Sequence, residues 1–421
     1  MSLNRRSLLA TLGLASVVAF APTFAHRAEA GTTLNALFMA QAGYSESDVR
    51  AMTDAYLKQH PDVTVKLEFV PYEALHDKIR LAAGSGEGYD VVLYDVIWPA
   101  EFAENNILTD VTSRIDPKTR DAVETGAWTT VDYKGKSYGM PWSADSKYLF
   151  YNKAMLEKAG ITTLPKTWAD VMTDAEIIKK KGIVQYPIVW SWSQNEAAIC
   201  DYALLMQAFG GEFLDASGKP AFQTGGGLDA LNFMVQSLKD GLTNPHSTEY
   251  LEEDVRRVFS SGQAAFALNW SYMYDLANGS DKDSRVAGQV GVMAPPGVAG
   301  KSTISTVNGA MGLGIPTGSK NKDAAWDYIL YLTSPEVEAK YAGSSPPIWK
   351  SFYTDAAKAQ PQHAELIAAE GASFNALFDR PQVADYQQFS ARLQQALQQA
   401  MLGKATPADA LKSAADDLPS N

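Results

Sequence analysis

The chain is poor in the residues that mark a metalloprotein, a disulfide scaffold or a nucleotide-using enzyme. One cysteine, Cys200, stands in 421 residues, so no intrachain disulfide can form. It sits in the apolar run 197–206, where a buried structural thiol is expected. The five histidines (His26, His60, His76, His246, His363) are scattered, without a His-x-x-x-His or His/Cys grouping to hold a transition metal. Residues 297–302, Gly-Val-Ala-Gly-Lys-Ser, would need a glycine at 295 to make a phosphate loop, and that position is Pro295. The glycines at 84–88 lack the third glycine of a dinucleotide fingerprint and close a helix where that motif opens one. Asp281-Lys-Asp-Ser284 lacks the glycine and glutamate of a calcium loop, and no Gly-x-Ser-x-Gly elbow occurs. No catalytic grouping, cofactor or metal is therefore expected. The 48 acidic residues make chance carboxylate pairs inevitable, so a glycosidase dyad is neither signalled nor excluded.

Positive charge is also scarce. A net charge of −12 disfavours nucleic acid and anionic membranes as partners. The apolar run Leu8–Ala21 is 14 residues, short for a bilayer span. It follows Arg5-Arg6, is broken by Pro22, and is succeeded by Ala28-Glu29-Ala30, a small-x-small cleavage pattern; residues 1–30 read as a cleavable export signal. Asn4 to Leu9 resembles a twin-arginine signal, although Asn4 and the missing lysine after Leu9 leave the Sec route open. No cysteine near the cleavage point could carry a lipid, so a free periplasmic protein is expected.

What is present is a globular composition, 46% hydrophobic and 20% charged, on a chain long enough for two domains. Apolar Leu34–Met39, a helix capped near Ser47-Asp48 and ending at His60-Pro61, and the alternating Val63, Val65, Leu67 and Phe69 come first. A helix carrying Leu75 and Ile79 and the strand Asp90–Asp95 follow. This β-α-β-α-β order predicts a mostly parallel sheet with right-handed crossovers. Ligands of such sheets lie beyond the carboxyl ends of the strands, so the loops 40–45, 71–72 and 95–98 should converge on one crevice.

The stretch Lys134–Gly160 is the most telling. Polar turn residues lead into Met140–Asp145, then a β-rich run (Tyr148, Leu149, Phe150, Tyr151) and an amphipathic helix stopping at Gly160. Leu164–Val171 opens another helix, with Thr167 placed as its N-cap. This order resembles the crossover between lobes in extracellular solute-binding proteins of the sugar-transporter type. Asp95–Phe102 is most similar to trehalose/maltose-type binders. The resemblance covers nearly all of the chain after residue 31. It implies a two-lobed periplasmic-binding-protein α/β fold, each lobe a mostly parallel sheet flanked by helices, joined by a hinge. Residues 31–143 with 289–318 would form lobe 1, and 144–288 with 319–421 lobe 2. Residues 289–297 and 306–315 would return to the first sheet, and the helices after 322 would pack on the second lobe. It further implies a monomer that delivers a carbohydrate to the permease and ATPase subunits of an ABC importer, all separate chains.

A sugar needs flat aromatics for its C–H faces and carboxylates or amides for its hydroxyls. The predicted cleft segments supply Gln41, Tyr44, Tyr72, Asp95, Trp142, Asp145, Trp190, Trp192, Trp270, Tyr272, Asn308, Gly309 and Trp349. Asp95 reads either as a sugar ligand or as the N-cap of the next helix, and Trp98 as cleft or core. Asp145 matches a sugar-contacting acid of some family members or is a solvated hinge residue. Trp190 and Trp192, two apart on a strand end, point the same way and line either the cleft or the core. Asn269–Tyr272 resembles the family's cleft aromatic segment, and Asn308-Gly-Ala310 its ligand-approaching glycine turn. Trp128, Trp168 and Trp326 read as core. In relatives a proline near 346 is followed closely by a ligand-contacting arginine; here Trp349 stands near that place. With no arginine in the set, and Lys147 and Lys350 the only nearby cations, a neutral disaccharide or short glucoside is expected, with a monosaccharide or polyol second.

Overall fold

The computed structural model describes residues 31–40, 43–85, 88–279 and 284–418. The export signal, Gln41 and residues 281–283 lie outside the described residues. Unit Thr32–Asn421 is compact in itself and holds two main sheets.

The first sheet has the order β2 (Val63–Val70), β1 (Thr32–Met39), β3 (Val91–Asp95), β11 (Met311–Gly314), β6 (Met140–Ser143). Strand β1 (Thr32–Met39) runs parallel to β2 (Val63–Val70), pairing Thr32 with Val63 through Met39 with Val70, and parallel to β3 (Val91–Asp95). The intervening helices Glu46–Gln59 and Tyr72–Ser85 are the crossovers that parallel strands require. The first begins two residues earlier than the sequence suggested. Ser45 is its N-cap, in a capping box with Asp48.

After a hairpin of β4 (Asp132–Tyr133) and β5 (Lys136–Ser137), β6 (Met140–Ser143) closes the first sheet, and three residues later β7 (Lys147–Asn152) opens the second. That sheet has the order β10-β7-β9-β8, with β8 at Ile188–Val189, β9 at Phe266–Trp270 and β10 at Val290–Met293. Strand β11 (Met311–Gly314) lies between β3 and β6, antiparallel to both.

Two expectations are corrected here. β10 does not return to the first sheet; it pairs antiparallel with β7, Val290 opposite Asn152. β7 carries the chain away from the crossover and β10 carries it back, so the pair is antiparallel, and in this sheet only β8 and β9 run parallel. The helix Lys322–Leu332 packs on the first sheet's side rather than the second's. Tyr328 Oη lies 2.6 Å from Thr53 Oγ1 and its ring packs on Tyr56, while Asn321 Nδ2 donates to Asp90 and the Thr33 carbonyl. Alternation of apolar residues shows which face of an element is buried and says nothing about which sheet it joins.

The two passages of chain between the sheets run side by side. Gly309 N–H donates to the Asp145 carbonyl at 3.0 Å, and Ser146 bridges to Asn308. The long helix Tyr386–Met401 packs beside Glu196–Ala208, which is buried nearly all round.

Candidate functional site

A cavity of about 310 Å³ lies between the carboxyl end of the first sheet and the facing side of the second. Its wall takes Met39 from the end of β1 and Ala40, Gly43, Tyr72 and Asp95 from the loops predicted to converge. Ser143, Asp145, Gly309 and Met311 come from the crossings, and Asn195, Glu196, Cys200, Trp270 and Tyr272 from the second sheet's side. A larger groove of about 800 Å³ opens past Trp128 and Phe213, but its Arg120 is already bound to Asp132 and Ser137.

Asp95 ends β3 and is 4% exposed. Its Oδ2 accepts from Tyr72 Oη at 3.0 Å, and its Oδ1 accepts from Ile97 N at 3.2 Å and Arg380 Nη2 at 3.1 Å. The next helix, Pro99–Glu104, has Trp98 as N-cap and no side-chain cap, so Asp95 turns the chain ahead of the helix rather than capping it.

Arg380 sits in the link between the helices Ala364–Ser373 and Tyr386–Met401 and is 3% exposed. Nη1 donates to Glu196 Oε1 at 2.7 Å, and Nη2 also reaches the Asn308 carbonyl at 3.2 Å. Its buried Nε has no protein partner among the described residues. Glu196 opens its helix, where a negative charge meets the positive end of the helix dipole, and it also accepts from Tyr386 Oη and Ser390 Oγ. Burial raises its pKa, while Arg380 and these hydroxyls pull it down.

Trp270 ends β9 half-buried. A Cβ on Gly309 would lie 2.1 Å from its ring, so only glycine lets the crossing pass this close. Its Nε1 donates to Glu252 Oε1 at 3.3 Å. Lys147 Nζ stands 5.1 Å from the ring centroid and is fully buried, bound to Asp201 Oδ1 at 2.5 Å and Ser191 Oγ at 3.0 Å. Burial opposes the lysine's charge, but Asp201 and Glu252 outweigh it and hold its pKa above the ordinary value. Asp145 is 5% exposed and accepts from Ser271 Oγ and Ser146 N, yet burial still pushes its pKa up to about 7.

Of the sequence candidates, the structure brings Tyr72, Asp95, Asp145, Trp270, Tyr272 and Gly309 to the cavity wall. Tyr44 and Trp142 are buried behind it, ring centroids 4.7 Å apart, beside a separate void of about 20 Å³. Trp190 and Trp192 are core: both are at most 1% exposed, they stack at 4.9 Å, and Trp190 packs on Trp168. Pointing the same way, they point inward. Asn308 is fully buried and binds Thr129 and Asp379, reaching the site only through its carbonyl on Arg380. Trp349 bonds to the Thr333 carbonyl and bridges to Val123, away from the cavity. Lys350 donates to the Asp121 carbonyl and borders the other groove. Arg380, Glu196, Cys200 and the acids at 252–254 were missed. A lone Arg-Pro in a short link between two predicted helices was the one available signal for Arg380.

Seven carboxylates (Glu73, Asp95, Asp145, Glu196, Glu252, Glu253, Asp254) and two arginines (Arg257, Arg380) line the space. Arg257 bonds to Asp254 at 3.2 Å. Among the described residues no group of three or more His, Cys, Asp or Glu could hold a metal ion, and no helix is long and apolar enough to cross a membrane.

Two sheets joined by short crossings, with a cavity lined by carboxylates and an indole between them, define a two-lobed binding protein. The family model of the bacterial extracellular solute-binding proteins matches residues 25–339, and the chain belongs to that family. A "probable ABC transporter-binding protein" of Deinococcus radiodurans is 30% identical over 427 residues, 97% of each chain. Among solved structures, maltose-bound MalE3 of T. maritima superposes with a TM-score of 0.84 at 30% identity, covering 92% of this chain and 98% of that one. A solute-binding protein of Thermotoga lettingae bound with α-D-tagatose follows at 0.82 and 28% identity, covering 92% and 98%.

Proposed function

We propose that the chain is the periplasmic substrate-binding subunit of an ABC-type sugar importer and that it holds a neutral sugar in the cavity between its sheets. The observation that carries this reading is the pairing of one half-buried indole, Trp270, with carboxylates from both sheets' sides around one cavity. An indole covers the C–H face of a sugar ring, and carboxylates accept from adjacent hydroxyls. Relatives named for maltose and tagatose complexes support the ligand class.

Neutrality now rests on different ground from the sequence expectation, because an arginine is present. Arg380 spends both terminal nitrogens on Asp95 and Glu196, and Arg257 is paired with Asp254, so each guanidinium of the wall already faces a carboxylate. An anion would face seven carboxylates. Closure about the crossings at 144–146 and 308–310 would dry the ligand, and the energy for import would come from separate chains.

Titration calorimetry with glucose, fructose, mannitol, maltose and trehalose tests this. One-to-one binding that barely responds to ionic strength, with the sugar recovered unaltered, is the expected result. Tighter binding of a uronate than of its neutral analogue would overturn neutrality, and chemical conversion of the sugar would overturn binding without turnover.

A further inference from the structure

Lys147 opens β7 directly after the crossing, and its side chain is fully buried. A lysine charge taken out of water needs a partner. Here Nζ donates to Asp201 Oδ1 at 2.5 Å and to Ser191 Oγ at 3.0 Å, which leaves one of its three N–H groups. Asp201 is itself fully buried on the helix Glu196–Ala208, and its Oδ2 accepts from Ser191 N and Oγ at 3.2 Å each. Also beside the ammonium are the Trp270 ring, its centroid 5.1 Å from Nζ, and Glu252 Oε1 at 3.7 Å. That same Oε1 accepts from Trp270 Nε1 at 3.3 Å, so one carboxylate oxygen is held by lysine and indole together. Asn269 ties the backbones that carry the two: its Nδ2 donates to the Glu252 carbonyl at 2.8 Å, and its Oδ1 accepts from Trp270 N at 2.9 Å. Glu252 lines the cavity, and its Oε2 accepts no hydrogen bond from the described residues.

We propose that the buried Lys147–Asp201 pair is a positioning device for the ligand site: it fixes Glu252 against the edge of Trp270 and so sets which epimer of a sugar is held. This rests on the reading of the main cavity as a sugar site. A buried ion pair contributes little stability that well-packed apolar residues could not, so stability alone gives no reason to bury two charges here. An indole donates in the plane of its ring, so Glu252 stands at the ring's edge with Oε2 left to accept from a ligand. A sugar stacked on the indole turns equatorial hydroxyls outward toward such an edge and axial ones away from it. Held firm, Glu252 accepts from one epimer and misses the other; free to swing, it would follow either. Lys147 and Asp201 are fully buried behind the wall and act only through Glu252 and Trp270.

The test uses the double variant Lys147→Met/Asp201→Asn, which removes both charges and leaves neither unpaired in the core. Glu252→Gln, on a part-exposed side chain, is the second variant and decides the matter should the first not fold. Calorimetry compares sugars that differ at one hydroxyl: glucose with galactose and mannose, cellobiose with lactose, mannitol with glucitol. NMR of the empty protein follows the Trp270 indole N–H, assigned with Trp270→Phe. The wild type should separate the members of one such pair by at least about tenfold, and the ratio should fall to about threefold or less in either variant, with the Trp270 signal shifted. A merely structural pair would weaken every sugar by the same factor and keep the ratio. That result would overturn the proposal, as would an unshifted Trp270 signal or a wild type that holds both members of every pair alike. A wild type that binds none of these sugars would overturn the reading of the main cavity itself.

Discussion

Gly309→Ala puts the closest contact in the cavity under load. The added methyl would lie 2.1 Å from Trp270 Cζ3 and 2.4 Å from Cη2, where carbon atoms in contact rest at about 3.5–4.0 Å. The ring therefore has to retreat by roughly 1.5 Å. Gly309 does not hold a positive φ, so alanine brings no backbone strain and the whole cost falls on the indole. Behind the ring stand Gly309 and the buried Lys147; the open direction is the cavity. A ring that swings into open space yields cheaply, so the stability cost should sit near the lower end of the ~1–3 kcal/mol typical of overpacking. Binding should suffer more. The displaced ring breaks its bond to Glu252 and occupies volume the sugar needs, and losing the aromatic face alone is worth about 0.5–1.5 kcal/mol. An affinity loss of at least about tenfold is expected, with a small change in melting temperature. Calorimetry and thermal unfolding on the same preparation measure both. Gly318→Ala, whose methyl would meet nothing within 4 Å, is the control. Wild-type affinity in the Gly309 variant, or an equal loss in the control, would refute the reasoning.

Asp95→Ala strips Arg380 of its first-sheet partner. Breaking one side of a buried ion pair costs about 3–5 kcal/mol, so the melting temperature of the empty protein should fall along with sugar affinity, and a calorimetric scan will show it. Trp192→Ala should cost about 3–5 kcal/mol of stability while sugar affinity measured by calorimetry stays within twofold or so, because the side chain is core. Asp145, pushed up to about 7 in the folded chain, keeps its proton at pH values where the unfolded carboxyl, near 3.9, has lost it. The folded state then binds more protons than the unfolded between about pH 4 and 7, so this residue's contribution to stability declines as pH rises through that window. A hydroxyl donating to the ionised form would make sugar affinity climb by up to about tenfold from pH 6 to 8, with proton release on binding near pH 7. Asp145→Asn should flatten that profile.

Residues 32–95 were legible because their logic is local: period-two and period-3.6 patterns lie within a few residues of what they control. The convergence of Tyr72 and Asp95 followed from topology alone. The crossover near Met140–Asp145 was legible through the resemblance of the Lys134–Gly160 stretch to the lobe crossover of the family, and β6 and β7 lie on either side of it in different sheets. The remainder was set by long-range packing. Trp190 and Trp192 show the limit: spacing says that two side chains share a direction, and only the tertiary fold says whether that direction is solvent or core. Arg380 reaches Asp95 across 285 positions, and Glu196 reaches Ser390 across 194. A charged residue in a link between helices looks solvated until the fold buries it.

Arg380 holds a carboxylate from each side of the opening, Asp95 from the first sheet and Glu196 from a helix on the second. Separating the sheets would pull this clasp apart and hydrate charges now shielded from water. Some of the cohesion that shuts the cavity thus belongs to the chain itself and owes nothing to cargo. Such a clasp raises the fraction of empty molecules already in the receptive shape, and apparent affinity improves in proportion to that fraction. The same clasp blurs the message sent to a transporter, because a shut shape then says less about whether anything is aboard.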